Sequence, residues 1–347
     1  MTPRYDIALM GLGNVNRALV EIVRTQSQRL TAELGFTMRV TAITDLRFGT
    51  LVDPNGLDLD AVLAVSGSGN FSGLTGYTAN CDNYEFAHTA PADILVEATF
   101  TNPIDGEPAL SHVRWGLESG KSVCTTNKGP AAFAGADLKA LATQHGVCFE
   151  YEGAVMSGTP VIRLASGPLK GVGITGFSGI LNGTSNYILG RMESGLSQTD
   201  AIKEAQDLGY AEADPTADIG GSDVRLKVTV LTNDLLGVPI NPDQVVTEGI
   251  TGLTPEMITD ATCQGRHWKL IGQASRADDG TITASVSPRL LPADHPLAMI
   301  GGATNAVMFD TEYLGPITIS GPGAGRIETA YALLSDIIAI HAARNKA

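Results

Sequence analysis

Basic residues are scarce in this chain. Lysine and arginine number 23 against 37 aspartates and glutamates, for a net charge of −14. No basic patch is present, so nonspecific nucleic-acid binding is excluded as a main activity. Cysteine is scarcer still. Cys81, Cys124, Cys148 and Cys263 stand at no metal-ligand spacing and are too few for a disulfide framework. That usage implies a reducing, cytoplasmic setting. His267, His295 and His341 have no partners at metal spacing either. The N-terminus lacks the apolar core of a signal peptide, and no run reaches the ~18 apolar residues of a membrane span. There is no repeat and no low-complexity segment. What is left is an ordinary globular composition, and 347 residues suffice for two domains with sizeable cores.

The first half alternates strands and helices. Ile7–Met10 is a short apolar strand that runs into Gly11-Leu-Gly13-Asn14-Val15-Asn16 and then an amphipathic helix. Strand, glycine turn and helix form the setting that the dinucleotide fingerprint requires. Gly11 permits the tight turn, and Gly13 lets a pyrophosphate approach the helix N-terminus around Asn14 and Val15. Asn16 stands at the third glycine position, which predicts a slightly wider helix–strand fit. A second strand, Met38–Thr44, ends at Asp45, an acid placed for the adenosine ribose hydroxyls. Arg47 stands two residues on and suits the 2′-phosphate of NADP instead. The two signals conflict, and NAD or NADP stays open. Further strands at Asp93–Ala98, Ser122–Thr125 and Val147–Glu150 predict a doubly wound parallel sheet. Such sheets bind ligands at the carboxyl ends of their strands. Thr99, Thr101, Asn102 and Lys128 follow strand ends there.

The second half reads as α+β. Val172–Leu181 alternates like a strand and leads into Asn182-Gly183-Thr184 before a helix. Thr184 can cap that helix, or the helix N-terminus at Gly183 and Thr184 can hold a substrate carboxylate. A loop dense in carboxylates follows: Glu212, Asp214, Asp218 and Asp223, broken by Pro215 and Gly220-Gly221. Apolar residues at Val224, Val228, Leu231 and Leu235 then give a helical period. Asp223 and Lys227 are i and i+4 on that helix and share one face. The bland reading is a surface ion pair worth about 0.3–0.5 kcal/mol. The sharper one is a lysine at the edge of a buried face, able to give and take a proton. Beyond Asn233 the pattern predicts helices near Pro255–Thr259 and His267–Ser275. It predicts strands near Thr281–Val286, Ala306–Phe309 and Ile317–Ser320. Gly321–Gly325 is a turn before a final amphipathic helix, Glu328–Ala343, expected to pack back on the nucleotide domain. The implied domains are 1–151 for the dinucleotide, 152–320 for substrate and dimerisation, and 321–347 as the returning helix.

Taken together, Thr126-Asn-Lys128, Glu152–Pro160, Gly179–Ile188, Leu208–Pro215 with Asp223 and Lys227, and Gly321–Gly325 closely resemble homoserine dehydrogenase. The resemblance covers nearly the whole chain. It implies a Rossmann-type doubly wound sheet joined to an α+β catalytic and dimerisation domain. It implies NAD(P)H-dependent reduction of aspartate 4-semialdehyde to homoserine, on the route to threonine and methionine, by a cytoplasmic homodimer. In that reading Lys227 is the acid/base residue and Lys128 its partner near the nicotinamide. Glu212, Asp223, Asp214, Thr184 and Gly183 bind substrate, and Gly209 and Gly323 lie against the cofactor. A structural Na+ or K+ is implied at Glu152 with carbonyls of Val155, Ser157 and Thr159. Two departures stand out: Asn16, and Arg326-Ile327-Glu328 where the family more often has a glycine and a proline. The family's regulatory extension is expected to be absent, and end-product inhibition through it with it. A dehydrogenase acting on another amino-acid semialdehyde or hydroxy amino acid would carry the same loop chemistry. A non-catalytic NAD(P) sensor would need neither lysine.

Overall fold

The computed structural model describes residues 2–65, 69–79 and 82–345. Cys81, counted above, lies outside them. The chain divides into two compact units, Met1–Ala154 with Gly325–Ala347, and Val155–Ala324. Among the described residues, no helix is long and apolar enough to cross a membrane.

The first unit opens with β1 (Arg4–Met10), α1 (Asn14–Leu34), β2 (Thr37–Asp45) and β3 (Gly49–Val52). Then come α2 (Leu59–Ala64), β4 (Tyr77–Thr78), α3 (Asn83–Thr89) and β5 (Ile94–Glu97). It continues with α4 (Ala109–Glu118), β6 (Ser122–Thr125), α5 (Lys128–Gln144) and β7 (Phe149–Glu150). The sheet order is β4-β3-β2-β1-β5-β6-β7. From β2 through β7 the pairing is parallel, so the five strands expected from the sequence are all present. β3 and β4 add an antiparallel edge that the apolar pattern did not announce. The central strands are buried on both faces, which is why Ile7–Met10 and Ile94–Glu97 show no alternation. From β1 the chain moves outward to β2, and it later returns to β1's other side as β5. The β1/β5 gap is therefore the topological switch point, the usual place for a ligand.

The C-terminal helix of the chain belongs to this unit. It spans Arg326–Arg344, and its Leu333, Ile337 and Ile340 share one core with Leu19, Val20 and Val23 of α1. Each such side chain contributes about 1.5–3 kcal/mol when fully buried.

The second unit contains α6 (Ile162–Ser166), β8 (Ile174–Ile180), α7 (Gly183–Glu193), α8 (Gln198–Asp207) and α9 (Thr216–Ile219). α10 (Ser222–Leu235), β9 (Val246–Thr247), α11 (Pro255–Cys263) and β10 (Arg266–Arg276) follow. β11 (Ile282–Pro292), β12 (Thr304–Thr311) and β13 (Ile317–Pro322) end it, and the C-terminal helix is α12. Its sheet runs β13-β12-β8-β10-β11-β9, antiparallel except for the β11/β9 pair. One expectation fails here. Residues 267–275 form a strand, not a helix. β10 is central, paired to β8 and β11, and buried on both faces from Lys269 to Gly272, so alternation is lost. α10 lies on β10 at Gly272. A methyl there would come within 2.6 Å of Val228 and 2.7 Å of Val224.

Candidate active site

In the first unit the glycine turn sits at the switch point. Gly11 has φ +83°, and its N–H donates to the Thr44 carbonyl at 2.8 Å. A Cβ there would lie 2.9 Å from the Ala98 carbonyl oxygen, so only glycine fits. Gly13 is the N-cap of α1 and supplies no side-chain cap. A Cβ on it would meet nothing within 4 Å. The open space lies at the start of a 21-residue helix whose first N–H groups, at Asn14 and Val15, face no acidic side chain in that turn. These features fit a pyrophosphate.

Asn16, at the third position of the fingerprint, bonds the turn itself. It is buried, and its Nδ2 donates to the Gly11 carbonyl at 2.7 Å. It thus ties the turn from below. Asp45, at the end of β2, accepts the Leu12 N–H at 2.7 Å on one oxygen. The other oxygen accepts the N–H groups of Arg47 and Phe48 at 2.8 and 3.2 Å. The exposed Arg47 guanidinium lies 5.2 Å from the centre of the Phe48 ring. At the β5 end, Thr99 donates its N–H and its hydroxyl to Glu97. Thr101 and Asn102 follow in the same loop, and Asn102 turns it by accepting the Ile104 N–H at 2.9 Å. Lys128 opens α5, whose N-cap is Asn127.

In the second unit the acidic loop leads into α10 as the spacing implied. Lys227 is only 7% exposed. Its Nζ donates to Asp223 Oδ2 and to the Leu181 carbonyl, both at 2.7 Å. This is no surface ion pair. Asn182 donates from Nδ2 to Asp223 at 2.9 Å and to Asp218 at 2.6 Å. The same side chain caps α7 by accepting the Ser185 N–H at 2.8 Å. The cap is therefore Asn182 and not Thr184. Thr184 instead donates its hydroxyl to the Tyr210 carbonyl at 2.6 Å and so fixes the start of the acidic loop. Gly183 begins α7 with its N–H outside the helical ladder. Asn182 was missed as a site residue, although an Asn before Gly-Thr-Ser is a cap signal.

The remaining candidates separate. Glu212 is exposed, and only its backbone carbonyl is engaged, by Gln206. Asp214 is exposed and accepts the Thr216 N–H and hydroxyl at 3.0 and 2.6 Å. Those bonds, the hydroxyl's first, hold its carboxyl below the usual range. Gly209 has φ +76°, and a Cβ there would meet nothing within 4 Å. Gly323 presses on the buried amide of Asn305. At the expected cation segment, Met156 and Ser157 have φ +57° and +53°. Left-handed backbone at non-glycine residues costs about 1–3 kcal/mol each. The candidate donors Val155, Ser157 and Thr159 lie on or beside this strained turn. Glu152, three residues before Val155, is buried in the first unit. An all-oxygen set suits a hard cation. Arg326, one of the departures, begins α12 and pairs with Glu21 at 2.9 Å. No group of three or more His, Cys, Asp and Glu suited to a metal occurs among the described residues.

The profile of the family described as homoserine dehydrogenase matches residues 160–338. An NAD(+)-dependent homoserine dehydrogenase of Pseudomonas canavaninivorans is 55% identical over 97% of this chain and 96% of its own. The crystal structure of a homoserine dehydrogenase from Thiobacillus denitrificans superposes with a TM-score of 0.84 at 32% identity, over 99% of this chain and 74% of that one. A hyperthermophilic archaeal homoserine dehydrogenase in complex with NADPH gives 0.82 at 31% identity, over 98% of both chains.

Proposed function

The chain belongs to the homoserine dehydrogenase family, and from that premise we propose how its own residues carry out the reaction. It is an NAD(P)-dependent oxidoreductase acting on a CH–OH group, which interconverts L-aspartate 4-semialdehyde and L-homoserine in the family's role in threonine and methionine biosynthesis. The observation that carries the mechanism is the buried Lys227 ammonium, held by Asp223 and the Leu181 carbonyl.

Bound nicotinamide supplies the hydride in reduction and accepts it in oxidation. Lys227 does the rest of the chemistry. Two of its three N–H donors are taken by the protein, which leaves the third for the substrate oxygen. In reduction that N–H polarises the aldehyde and passes its proton to the developing alkoxide; in oxidation the neutral amine takes it back. Asp223 holds the ammonium in place, and Asn182 holds Asp223. The exposed Glu212 carboxylate and Asp223 attract the substrate α-ammonium. The N–H groups at Gly183 and Thr184 receive its carboxylate. Asp214 shapes the acidic loop through Thr216. Lys128, with Thr99, Thr101 and Asn102, serves the nicotinamide end, and Gly209 and Gly323 flank the cofactor. Glu152 and the carbonyls of Val155, Ser157 and Thr159 hold a monovalent cation. Replacing Na+ and K+ by tetramethylammonium should then lower the melting temperature; an unchanged melt would remove the cation. Dimerisation through the second unit is tested by sedimentation.

The cofactor is NAD. Asp45 places a fixed negative charge at the end of β2, while Arg47 is turned onto Phe48. A 2′-phosphate brought within ~4 Å of that carboxylate costs at least about 1 kcal/mol, or about fivefold. Absorbance at the nicotinamide band with L-homoserine and either cofactor tests both claims. Reduction of NAD with the higher kcat/KM is expected, and Asp45→Asn should narrow the ratio. Equal or better use of NADP would overturn the preference. No reduction of either would overturn the substrate.

A further inference from the structure

Glu97 ends β5 fully buried, and the mechanism above makes no use of it. Its side-chain hydrogen bonds all run to the loops at the carboxyl edge of the sheet. Oε1 accepts the Thr99 N–H at 2.8 Å and the Thr99 hydroxyl at 2.5 Å. Oε2 accepts the Thr125 hydroxyl at 2.6 Å, and the Thr125 oxygen accepts the Asn127 N–H at 2.9 Å. Asn127 completes the circuit. Its Nδ2 donates to the Phe100 carbonyl at 2.9 Å, and its Oδ1 accepts the Gly129 N–H at 3.1 Å. One carboxylate therefore stitches the loop after β5 to the first turn of α5. All three groups that reach it donate to it, and an amide in its place could keep the Thr99 bonds only by turning the Thr125 hydroxyl round to accept from its NH2. The nearest cationic candidate is His112, whose Nδ1 lies 3.8 Å from Oε1. An ionised carboxylate is expensive to bury unless hydrogen bonds of this kind satisfy it.

We propose that Glu97 is a positioning residue for the nicotinamide end of the cofactor. It fixes the Thr99–Asn102 loop against the turn that carries Lys128. This rests on the assignment of those two segments to the nicotinamide. Glu97→Gln keeps the volume but replaces one acceptor by an amide donor, so the Thr125 hydroxyl must reverse and the link between the two loops is remade in a different geometry. The experiment compares kcat with L-homoserine, the Kd of NADH, the Kd of ADP-ribose (which lacks the nicotinamide) and the thermal melt. In folded Glu97→Gln, kcat should fall about 10- to 100-fold while ADP-ribose binding stays within about twofold. The preference for NADH over ADP-ribose should fall about three- to tenfold. Thr125→Val cuts one link of the circuit and should shift the same quantities less; it carries the test if Glu97→Gln does not fold. An unchanged NADH preference, or an equal loss of both ligands, overturns the proposal. Failure of both variants to fold would make Glu97 a folding residue and overturn it too. The binding ratio needs no turnover. A wild-type protein inactive on homoserine would thus overturn the functional reading and leave this test standing.

Discussion

Two buried ammonium groups in the second unit invite comparison. Lys227 is 7% exposed and Lys269 is 3% exposed. Each donates to one backbone carbonyl and one side-chain oxygen. For Lys227 the side-chain oxygen is the Asp223 carboxylate. For Lys269 it is the Asn186 amide at 3.1 Å, with the Ile300 carbonyl at 2.8 Å. Asn186 also donates to the carbonyls of Ile300, Gly302 and Thr304, so this cluster pins a loop to a helix. Burial pushes the Lys269 ammonium down, with the Glu193 charge opposing it. Burial alone does not make a lysine catalytic. A carboxylate partner, and a place on the helix that follows the acidic loop, distinguish Lys227, the lysine proposed to move the proton.

That contrast can be broken in three ways. Lys227→Ala should lower kcat about 10²- to 10⁴-fold. Its melt should fall as well, because the Asp223 carboxylate loses its cation and the Leu181 carbonyl its donor, so turnover is compared on protein that is still folded. Asn182→Ala removes a helix cap and the support of Asp223 together. We expect a stability loss of about 0.5–2 kcal/mol in urea unfolding. Misplacement of Asp223 and Lys227 should lower kcat by about tenfold as well. Lys269→Met should move stability alone. It strands a buried amide oxygen and should cost about 1–3 kcal/mol of stability, with kcat unchanged.

The last variant also has a pH signature. The folded pKa of Lys269 lies below its ordinary 10.5. Between those two values the unfolded chain binds more protons, so this group makes stability rise with pH. Its contribution is fully present above the ordinary lysine value and is lost as pH falls through the lowered folded one. Urea midpoints taken across the alkaline range should rise more steeply in wild type than in Lys269→Met. Parallel slopes would remove the titration from Lys269.

Much of this was legible before any coordinates. Gly11 and Gly13 stand between an apolar run and a helical period, and that local grammar survives in the fold. Asp223 and Lys227 at i and i+4 were bound to share a face. What failed was what depends on neighbours. β10 shows no alternation because strands flank it on both sides and layers cover both faces, so its run imitates a helix. At Asn16, spacing does not show a side-chain bond to a carbonyl five residues back. Thr184 and Asn182 are both able to cap, and only the path of the chain decides between them. Glu97 gave no signal at all. Its role depends on two loops that follow different strands.

In the proposed reaction Lys227 moves a proton and does not merely supply charge. Lys227→Arg separates the two, since a guanidinium keeps the charge and does not deprotonate in a protein. The measurement is kcat for homoserine oxidation by folded Lys227→Arg beside Lys227→Ala, with saturating substrate and cofactor. Both variants should be slow by about the same factor. A Lys227→Arg enzyme near wild-type turnover would contradict this and make Lys227 a fixed charge.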